Sequence, residues 1–555
     1  MSERIAIGVA WPYANGSLHL GQIAGAYLPA DIFARYHRAA GSDVLMVSGS
    51  DQHGTPITVR AESEGVSPQQ IVDRFHAEFL ETWPRLGISF DLFTATGTEN
   101  HRRVVQDVFL RLYEKGDIYK ATMTLPYCPV DQRFLLDRYV EGTCPHCGFA
   151  EARGDQCDNC GRPLDPLQLH GPRCKFCGTT PEPRESEHFF MRLSAFTERI
   201  REWVTPFGEH WRRNVYNFTL GILKEGLHDR AITRDIEWGV PIPLPGYEKK
   251  RIYVWFEAFI GYLSASMEWA QRAGEPEAWR PFWQDPATKS YYFIGKDNIF
   301  FHTIWWPAVL MAHGDLILPY DVPANQYLTM SGSKASTSRN WAVWAPDALA
   351  RYDADAIRYT LAALMPETSD SDFTWAEFLR RNNDELVATW GNLANRVLTF
   401  TVRNFDGRVP ERGQLDSVSV ALLQNAKTAL GEIGDEIAAC RFRSGLAKAM
   451  ALAQDANRYL DERAPWKTVQ DDRESAGQAL YTAIAVIGTL RTAFSPYLPF
   501  SSDRLRSQLG LPDDGASTKW CYVDPVPGTR LGTPEPLFRK LDPSMVEEEE
   551  ARMGR

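Results

Sequence analysis

At 555 residues the chain exceeds what one hydrophobic core organises, and its 44% hydrophobic and 24% charged content excludes a disordered or fibrous protein. With 71 acidic against 60 basic residues, a net charge of −11 excludes indiscriminate nucleic-acid binding, which rests on phosphate neutralisation, and leaves room for a local basic groove. The apolar run at 304–312 spans nine residues, short of the ~20 that a membrane helix needs, and MSERIAIGVAWPYANG lacks a basic leader before a long apolar core, so the expected compartment is the cytoplasm.

The first 60 residues read as strand, turn, helix and strand. Residues 4–10 are apolar and β-branched, PYANGS is turn-rich, 19–38 carries helical periodicity, and 43–47 is a second strand running into SGSDQHGT. A parallel α/β sheet begins this way, with its ligand groups at the carboxyl ends of the strands. His19 and Gln22 lie three residues apart at the helix start, hence on one face, and Gly21 between them adds no bulk. The exposed N–H groups of a helix start suit phosphate, and donors aimed there stabilise charge developing on a phosphoryl group. On spacing alone, a turn with a helix-lining histidine fits at least as well.

Between about residues 120 and 190 Cys, Gly, Pro and charged residues dominate, marking a small inserted module. Seven of the nine cysteines fall between Cys128 and Cys177, mostly in CxxC pairs, a spacing that points to metal rather than disulfides. Cys144, Cys147, Cys157 and Cys160 form two CxxC pairs nine residues apart, the donor set for tetrahedral Zn²⁺. A second set pairs Cys174 and Cys177 with Cys128 and Asp131, a Cys₃Asp site whose carboxylate binds zinc less softly. Neither set leaves an open position for water, so both are expected to be structural. A zinc ribbon that merely binds nucleic acid is a competing reading of this segment, and it leaves the rest of the chain unexplained.

The α/β character returns with YYFIGKDN at 291–298, a strand running into a polar loop. His302 and Trp306 in FHTIWW are four apart on one helix face. Read singly, such aromatics are ordinary core, and GSKASTSRNW at 332–341 is a Gly/Ser/Lys surface loop. From about residue 380 the pattern is helical. Leu386, Trp390, Leu393, Val397 and Phe400 form one amphipathic seam, Leu446, Met450, Ala453, Asn457 and Leu460 another, and 481–494 a third. APW at 464–466 places Pro where a helix should end and Trp466 at the bundle surface.

PYANGSLHLGQ resembles the HIGH signature of class I aminoacyl-tRNA synthetases, in the PYANG…HLGH form of the methionyl enzymes, with Gln22 in place of the last His. GSKASTSRNW resembles their KMSKS signature in the archaeal-type KFSTSRNW form. Lys334 matches the first lysine, Thr337 stands where many relatives carry the second, and Ala335 replaces Met or Phe. The resemblance covers residues 4–540 in order and spacing. It implies a Rossmann-like parallel-sheet α/β catalytic domain at 1–118 and 193–325, interrupted at 119–192 by a zinc-knuckle connective peptide that orients the acceptor stem. A stem-contact region with the KMSKS-like loop at 326–380, an all-α anticodon-binding bundle at 381–540 and a solvated acidic tail at 541–555 follow.

The reaction implied is activation of methionine by ATP with Mg²⁺, through methionyl-adenylate, and transfer to a methionine tRNA with a CAU anticodon, by a monomer with no membrane partner. Catalytic roles then fall to His19, Gln22, Lys296 and Lys334, and ATP contacts add Gly21, Gly295, Asp297, Ser336 and Thr337. Arg339 is a further cation to share the work of the missing lysine. The methionine pocket takes Trp11, Tyr13, Asp51, Trp255, Ala258, Phe259, Tyr262, His302 and Trp306, with Phe259 where many bacterial relatives have Pro. A thioether packs well on aromatic rings and an ammonium wants a carboxylate, so the residue types fit. TRDIEWGVPIP at 233–243, carrying Arg234, is a further class I stretch, and Asn392, Arg396 and Trp466 match the anticodon contacts, where Trp and Arg stack on bases and Asn reads an edge. Synthetases for leucine, isoleucine or valine carry a far larger editing insertion than this zinc-rich segment. The alternative that Gln22 and Thr337 keep open is a paralogue that has lost catalysis and serves as a tRNA-binding or regulatory protein.

Overall fold

Four short runs carrying β-branched and aromatic residues, with the two-residue edge Ala324–Asn325, form a parallel sheet in the spatial order Ala324–Asn325, Lys289–Gly295, Arg4–Val9, Asp43–Ser50, Leu92–Ala95. The computed structural model describes residues 3–135, 139–154, 157, 159–160, 164, 166–334, 342–512 and 519–553. Arg4–Val9 is buried from Ile5 onward, as a strand covered on both faces must be. The chain adds its next two strands on one side of Arg4–Val9 and then returns with Lys289–Gly295 on the other. Strand order therefore reverses between these two, and a crevice opens at their carboxyl ends.

The helix expected at 19–38 is present with a difference. Leu20–Gln22 widens into a π turn at Ile23–Tyr27 before Leu28–Ala39 resumes the α-helix. Phe301–Trp305 does the same ahead of Trp306–His313, and Arg381–Gly391 ahead of Asn392–Asn404. Such turns insert extra backbone and re-aim side chains, frequently at functional sites.

The inserted module rides on an antiparallel ribbon of Ile118–Cys128 and Glu182–Met191, in register from Ile118↔Met191 to Tyr127↔Glu182. At its far end Ala152–Arg153, Val140–Thr143 and His170–Cys174 form a three-stranded sheet around the cysteines.

In the C-terminal region Ser417–Ala438, Phe442–Arg463 and Arg473–Phe494 pack as a bundle with the helix Asn392–Asn404. Leu386, Trp390, Leu393 and Val397 are buried, as are Leu446, Met450, Ala453 and Leu460. Asn457 interrupts that second seam because its amide donates to Thr389 O at 3.0 Å. One apolar core runs from Ile5 and Ile7 of the sheet through to Leu446 and Leu490 of the bundle. Glu547, Glu548 and Glu550 are exposed, and the expectation of a solvated acidic tail is corrected at Glu549 alone. Met545–Glu550 is a helix, and Glu549, 2% exposed, accepts both Arg351 Nε at 2.6 Å and Nη2 at 2.9 Å, with the Tyr352 hydroxyl at 2.9 Å. A bidentate guanidinium compensates the burial of that carboxylate, which a run of four glutamates does not advertise.

Candidate active site

A cavity of about 470 Å³ opens at the carboxyl ends of Arg4–Val9 and Lys289–Gly295. Among the expected residues Trp11, Tyr13, His19, Gly21, Gln22, Asp51, Trp255, Ala258, Phe259, Tyr262, Gly295, Asp297 and His302 all line it.

Its aromatic wall is fixed by close packing. A Cβ at Gly49 would stand 2.3 Å from the Trp11 ring and one at Gly261 2.8 Å from it, so two glycines let the indole lie between strand end and helix. Trp255 stacks on Phe301 with centroids 4.1 Å apart, and Tyr13 meets Trp255 edge-on at 6.3 Å. His302 Nδ1 faces the Asn298 carbonyl at 2.9 Å and must donate to it. Its Nε2 is therefore an acceptor, and the Tyr262 hydroxyl donates to it at 2.8 Å. Burial holds this imidazole neutral, with its pKa near 4.

Trp306 does not line the cavity. It is 1% exposed and packs behind Phe259, centroids 5.3 Å apart, and against Trp283. The Phe259 ring takes the front position, and His302 lies within the π turn Phe301–Trp305, which Trp306 follows.

Asp51 follows the strand Asp43–Ser50 and is 4% exposed, with Oδ1 accepting the His53 N–H at 3.2 Å. Burial first, and then the nearby Glu257 carboxylate, push its pKa up to about 7. Glu257 is fully buried on the helix Val254–Arg272, with both oxygens 3.1 Å from His53 Nδ1 and one 3.6 Å from His101 Nε2. Sequence reasoning missed this cluster behind Asp51. Its one visible signal was an acid inside the apolar run VWFEAFIGY.

On the nucleotide side His19 caps its helix. Its Nδ1 accepts the Gln22 N–H at 3.3 Å, while Gln22 Oε1 accepts the His19 N–H at 3.0 Å, a capping box. The imidazole proton therefore sits on Nε2, and burial lowers the pKa to about 4. A Cβ at Gly21 would approach His19 Nδ1 to 2.9 Å and Leu328 O to 3.3 Å, which explains the glycine. Leu20 N–H donates to Val343 O at 3.0 Å and Ala345 N–H to Leu18 O at 2.7 Å, tying this signature to the chain that follows the KMSKS-like loop.

Asp297 Oδ1 accepts the Tyr327 hydroxyl at 2.5 Å. Lys296 stands beside the cavity rather than in it, its Nζ 2.8 Å from Asp370 Oδ1 and 3.8 Å from the Tyr327 ring centroid. Arg234 holds its own turn, donating to Ala231 O and Thr233 O beneath the Tyr253 ring. Lys334 closes a short strand with Ser333, and Ala335, Ser336, Thr337 and Arg339 lie outside the described residues. Tyr27, Phe301, Gln326, Tyr327 and Leu328 also line the cavity, the first two from π turns that helical periodicity does not reveal.

Both cysteine sets converge, each with its four ligand atoms within 4.8 Å of one another. Bonds of 2.3 Å to a tetrahedral zinc put sulfurs about 3.8 Å apart. Cys144 and Cys160 sulfurs are 4.0 Å apart, and those of Cys147 and Cys157 3.6 Å. In the second set Asp131 Oδ2 lies 3.2 Å from Cys128 Sγ and 3.0 Å from Cys174 Sγ, and Cys128 lies 3.4 Å from Cys177. Both donor sets fit a zinc ion.

In the bundle the Arg396 guanidinium lies 4.8 Å over the Trp466 ring and bonds Asp461 at 3.2 Å. Asn392 is exposed one turn before it on the same helix face. Trp466 is the second residue of the short helix Pro465–Thr468, which begins after Ala464 turns the chain at φ 41°.

A family model described as "tRNA synthetases class I (M)" matches residues 5–398, and another, "Anticodon binding domain of methionyl tRNA ligase", matches 409–555. The chain is 60% identical to a methionine–tRNA ligase of Dehalococcoides mccartyi over the whole of both chains. It is 52% identical to that of Thermomicrobium roseum, covering all of this chain and 99% of the relative. The structure of Mycobacterium tuberculosis methionyl-tRNA synthetase bound by methionyl-adenylate superposes with a TM-score of 0.80 at 26% identity, over 97% of this chain and all of that one. No helix among the described residues is long and apolar enough to cross a membrane. With its catalytic and anticodon halves both matched, and its cavity where the strand order reverses, the chain belongs to the class I methionyl-tRNA synthetases, the ligases that join methionine to tRNA.

Proposed function

We propose that the 470 Å³ cavity is where this activity runs, with methionine on the aromatic side and ATP with its Mg²⁺ on the His19 side. The observation that carries this reading is the convergence there of residues from 10 to 328, drawn from six separated stretches of chain. Trp11, Tyr13, Trp255, Ala258, Phe259, Tyr262 and His302 hold the thioether side chain, and Asp51 takes the ammonium. Gly21, Gly295 and Asp297 hold the nucleotide, while His19 Nε2–H and the Gln22 amide donate to the phosphates. Lys334, with Ser336 and Thr337, supplies the second signature's contact to the triphosphate, and Lys296 and Arg339 are further cations for that task.

The methionine carboxylate attacks the α-phosphorus, forming a P–O bond as the bond to the β-phosphate oxygen breaks and pyrophosphate leaves. The tRNA 2′-oxygen then attacks the methionyl carbonyl, its proton passes to solvent, and AMP leaves. No protein nucleophile is needed, because positioning and fixed donors supply the rate. Zinc held by Cys144, Cys147, Cys157 and Cys160, and by Cys128, Asp131, Cys174 and Cys177, cross-links the module so that it presents a fixed surface to the acceptor stem. Free thiols of this kind persist in a reducing compartment, which supports a cytoplasmic location. Asn392, Arg396 and Trp466 read the CAU anticodon. The chain acts as a monomer in this reading, and sedimentation as a single 62.8 kDa species checks this.

Methionine-dependent ATP–pyrophosphate exchange by the zinc-loaded full chain tests the reading. Exchange with methionine and not with leucine, isoleucine or cysteine is expected; none from a folded protein overturns it. The Asp51 assignment makes a separate prediction. Its carboxyl titrates near pH 7 in the free cavity and must be ionised to pair with an ammonium. The apparent KM for methionine should therefore rise about tenfold from pH 8 to pH 6, following the ionised fraction. A KM flat over that range would assign the ammonium to another group.

A further inference from the structure

The strand Leu328–Met330 forms the cavity wall beside His19 through Leu328, preceded by the wall residue Tyr327. It turns back through Ser331 and Gly332 into Ser333–Lys334, with Thr329 paired to Lys334 and Met330 to Ser333. Both turn residues have positive φ, 48° and 77°, the two-residue turn whose twist matches a hairpin. Glycine adopts that conformation freely, whereas serine does so only where something holds it. On its other edge Leu328–Met330 pairs in parallel with Ser371–Phe373, Thr329 opposite Asp372.

Asp372 is what reaches across. Its Oδ1 accepts the Gly332 N–H at 2.8 Å and the Thr329 hydroxyl at 2.5 Å, so one oxygen grips the turn and the first strand together. The Ser331 N–H donates to Phe373 O at 3.0 Å, continuing the grip on the turn. Two residues earlier, Asp370 Oδ1 accepts the Tyr327 N–H at 2.9 Å and Lys296 Nζ at 2.8 Å. The hairpin that ends on Lys334 is thus fastened at its root by Asp370 and at its tip by Asp372. A two-stranded hairpin alone is marginal in water, and an N–H at its turn bonded to a carboxylate is held more firmly than one bonded to a neutral acceptor.

We propose that Asp372 is a positioning residue for adenylate formation: its carboxylate locks the 328–334 hairpin and thereby sets where Lys334 meets the triphosphate. The inference rests on the reading of Lys334 as a nucleotide-side cation, and the experiment separates the two.

ATP–pyrophosphate exchange is measured on the full chain with ATP and methionine varied independently, for Asp372→Ala, Asp372→Asn, Lys334→Ala and the double variant Asp372→Ala/Lys334→Ala. Asp372→Ala is expected to lower kcat/KM for ATP about tenfold, the effect of losing a charged acceptor shared by two donors, while KM for methionine stays within about twofold. Asp372→Asn keeps an acceptor oxygen and should recover most of that loss. Because Asp372 acts through the hairpin, adding Asp372→Ala to Lys334→Ala should cost little more than Lys334→Ala alone. Should Asp372→Ala fail to fold, Thr329→Val removes one of the two contacts and should shift the ATP parameters in the same direction by less. An Asp372→Ala enzyme with wild-type ATP parameters, an equal loss on methionine, or full additivity with Lys334→Ala overturns the inference while leaving Lys334 in its role. A Lys334→Ala enzyme with unchanged ATP parameters overturns the reading of Lys334, and the inference with it.

Discussion

Replacing His19 with alanine is expected to slow methionine-dependent ATP–pyrophosphate exchange by about 10²–10³, the loss typical of removing one fixed donor from a site where charge develops. The capping box is why one residue carries so much. Because Nδ1 accepts the Gln22 N–H, the proton is confined to Nε2, and because Gln22 Oε1 holds the His19 N–H, the ring enters its helix at a fixed angle. Burial keeps the pKa near 4, so from pH 6 to pH 9 the ring is a neutral donor with nothing to titrate. The deficit of His19→Ala should therefore be the same at every pH in that interval, and it should fall on kcat more than on methionine KM. A deficit that shrinks at high pH would mean the working species is an imidazolium, and a loss under tenfold would place the main donor elsewhere. Gln22 answers the departure from the usual histidine in physical terms. Gln is a preferred residue at the third helical position of a capping box, so the substitution keeps the partner that orients His19. Gln22→Ala should lower the rate in the same direction by less than His19→Ala.

The sheet and the bundle were legible because both rest on local periodicity. A buried run such as IAIGV and the 4-3-4-3 spacing from Leu386 to Phe400 each record which neighbours must be covered. The cavity was legible through the family resemblance, which supplied long-range order that spacing alone does not. What stayed hidden is of two physical kinds. The π turns at Ile23–Tyr27 and Phe301–Trp305 differ from α-helix by one residue of backbone, too little to disturb an apolar pattern, yet enough to bring Tyr27 and Phe301 to the cavity while Trp306 stands behind Phe259. The second kind is pairing across great sequence distance. Glu257 meets His53 from 204 residues away, and Glu549 meets Arg351 from 198, and in each case the sequence shows only an acid whose partner is unnamed. An acid inside an apolar helix run is the signal to follow, because burial without a cation nearby would be too costly to persist.

Zinc content is expected to fall from about two ions per chain to about one when Asp131 becomes alanine, since losing even an outer-shell partner costs about 10- to 100-fold in metal affinity and losing a ligand costs more. The carboxylate is placed for this role. Asp131 follows Cys128 at the spacing of a CxxC pair, its backbone N–H donates to Cys128 Sγ at 3.3 Å, and its Oδ2 lies near the sulfurs of both Cys128 and Cys174. That is the geometry of a zinc knuckle with oxygen substituted for one sulfur. The Cys144, Cys147, Cys157 and Cys160 site uses none of these residues and serves as the internal control, retaining its ion in the variant. Three thiols released from the emptied site should become reactive toward a thiol reagent without denaturant. Asp131→Cys should keep both ions and resist a chelator longer than the natural chain, because thiolate is the softer ligand. Exchange of pyrophosphate should survive in Asp131→Ala while aminoacylation of tRNA declines, because the cavity is built on the parallel sheet and the metal module sits at the end of the ribbon Ile118–Cys128 and Glu182–Met191. Two ions still bound by Asp131→Ala would show that three cysteines suffice and that the aspartate is a neighbour rather than a ligand.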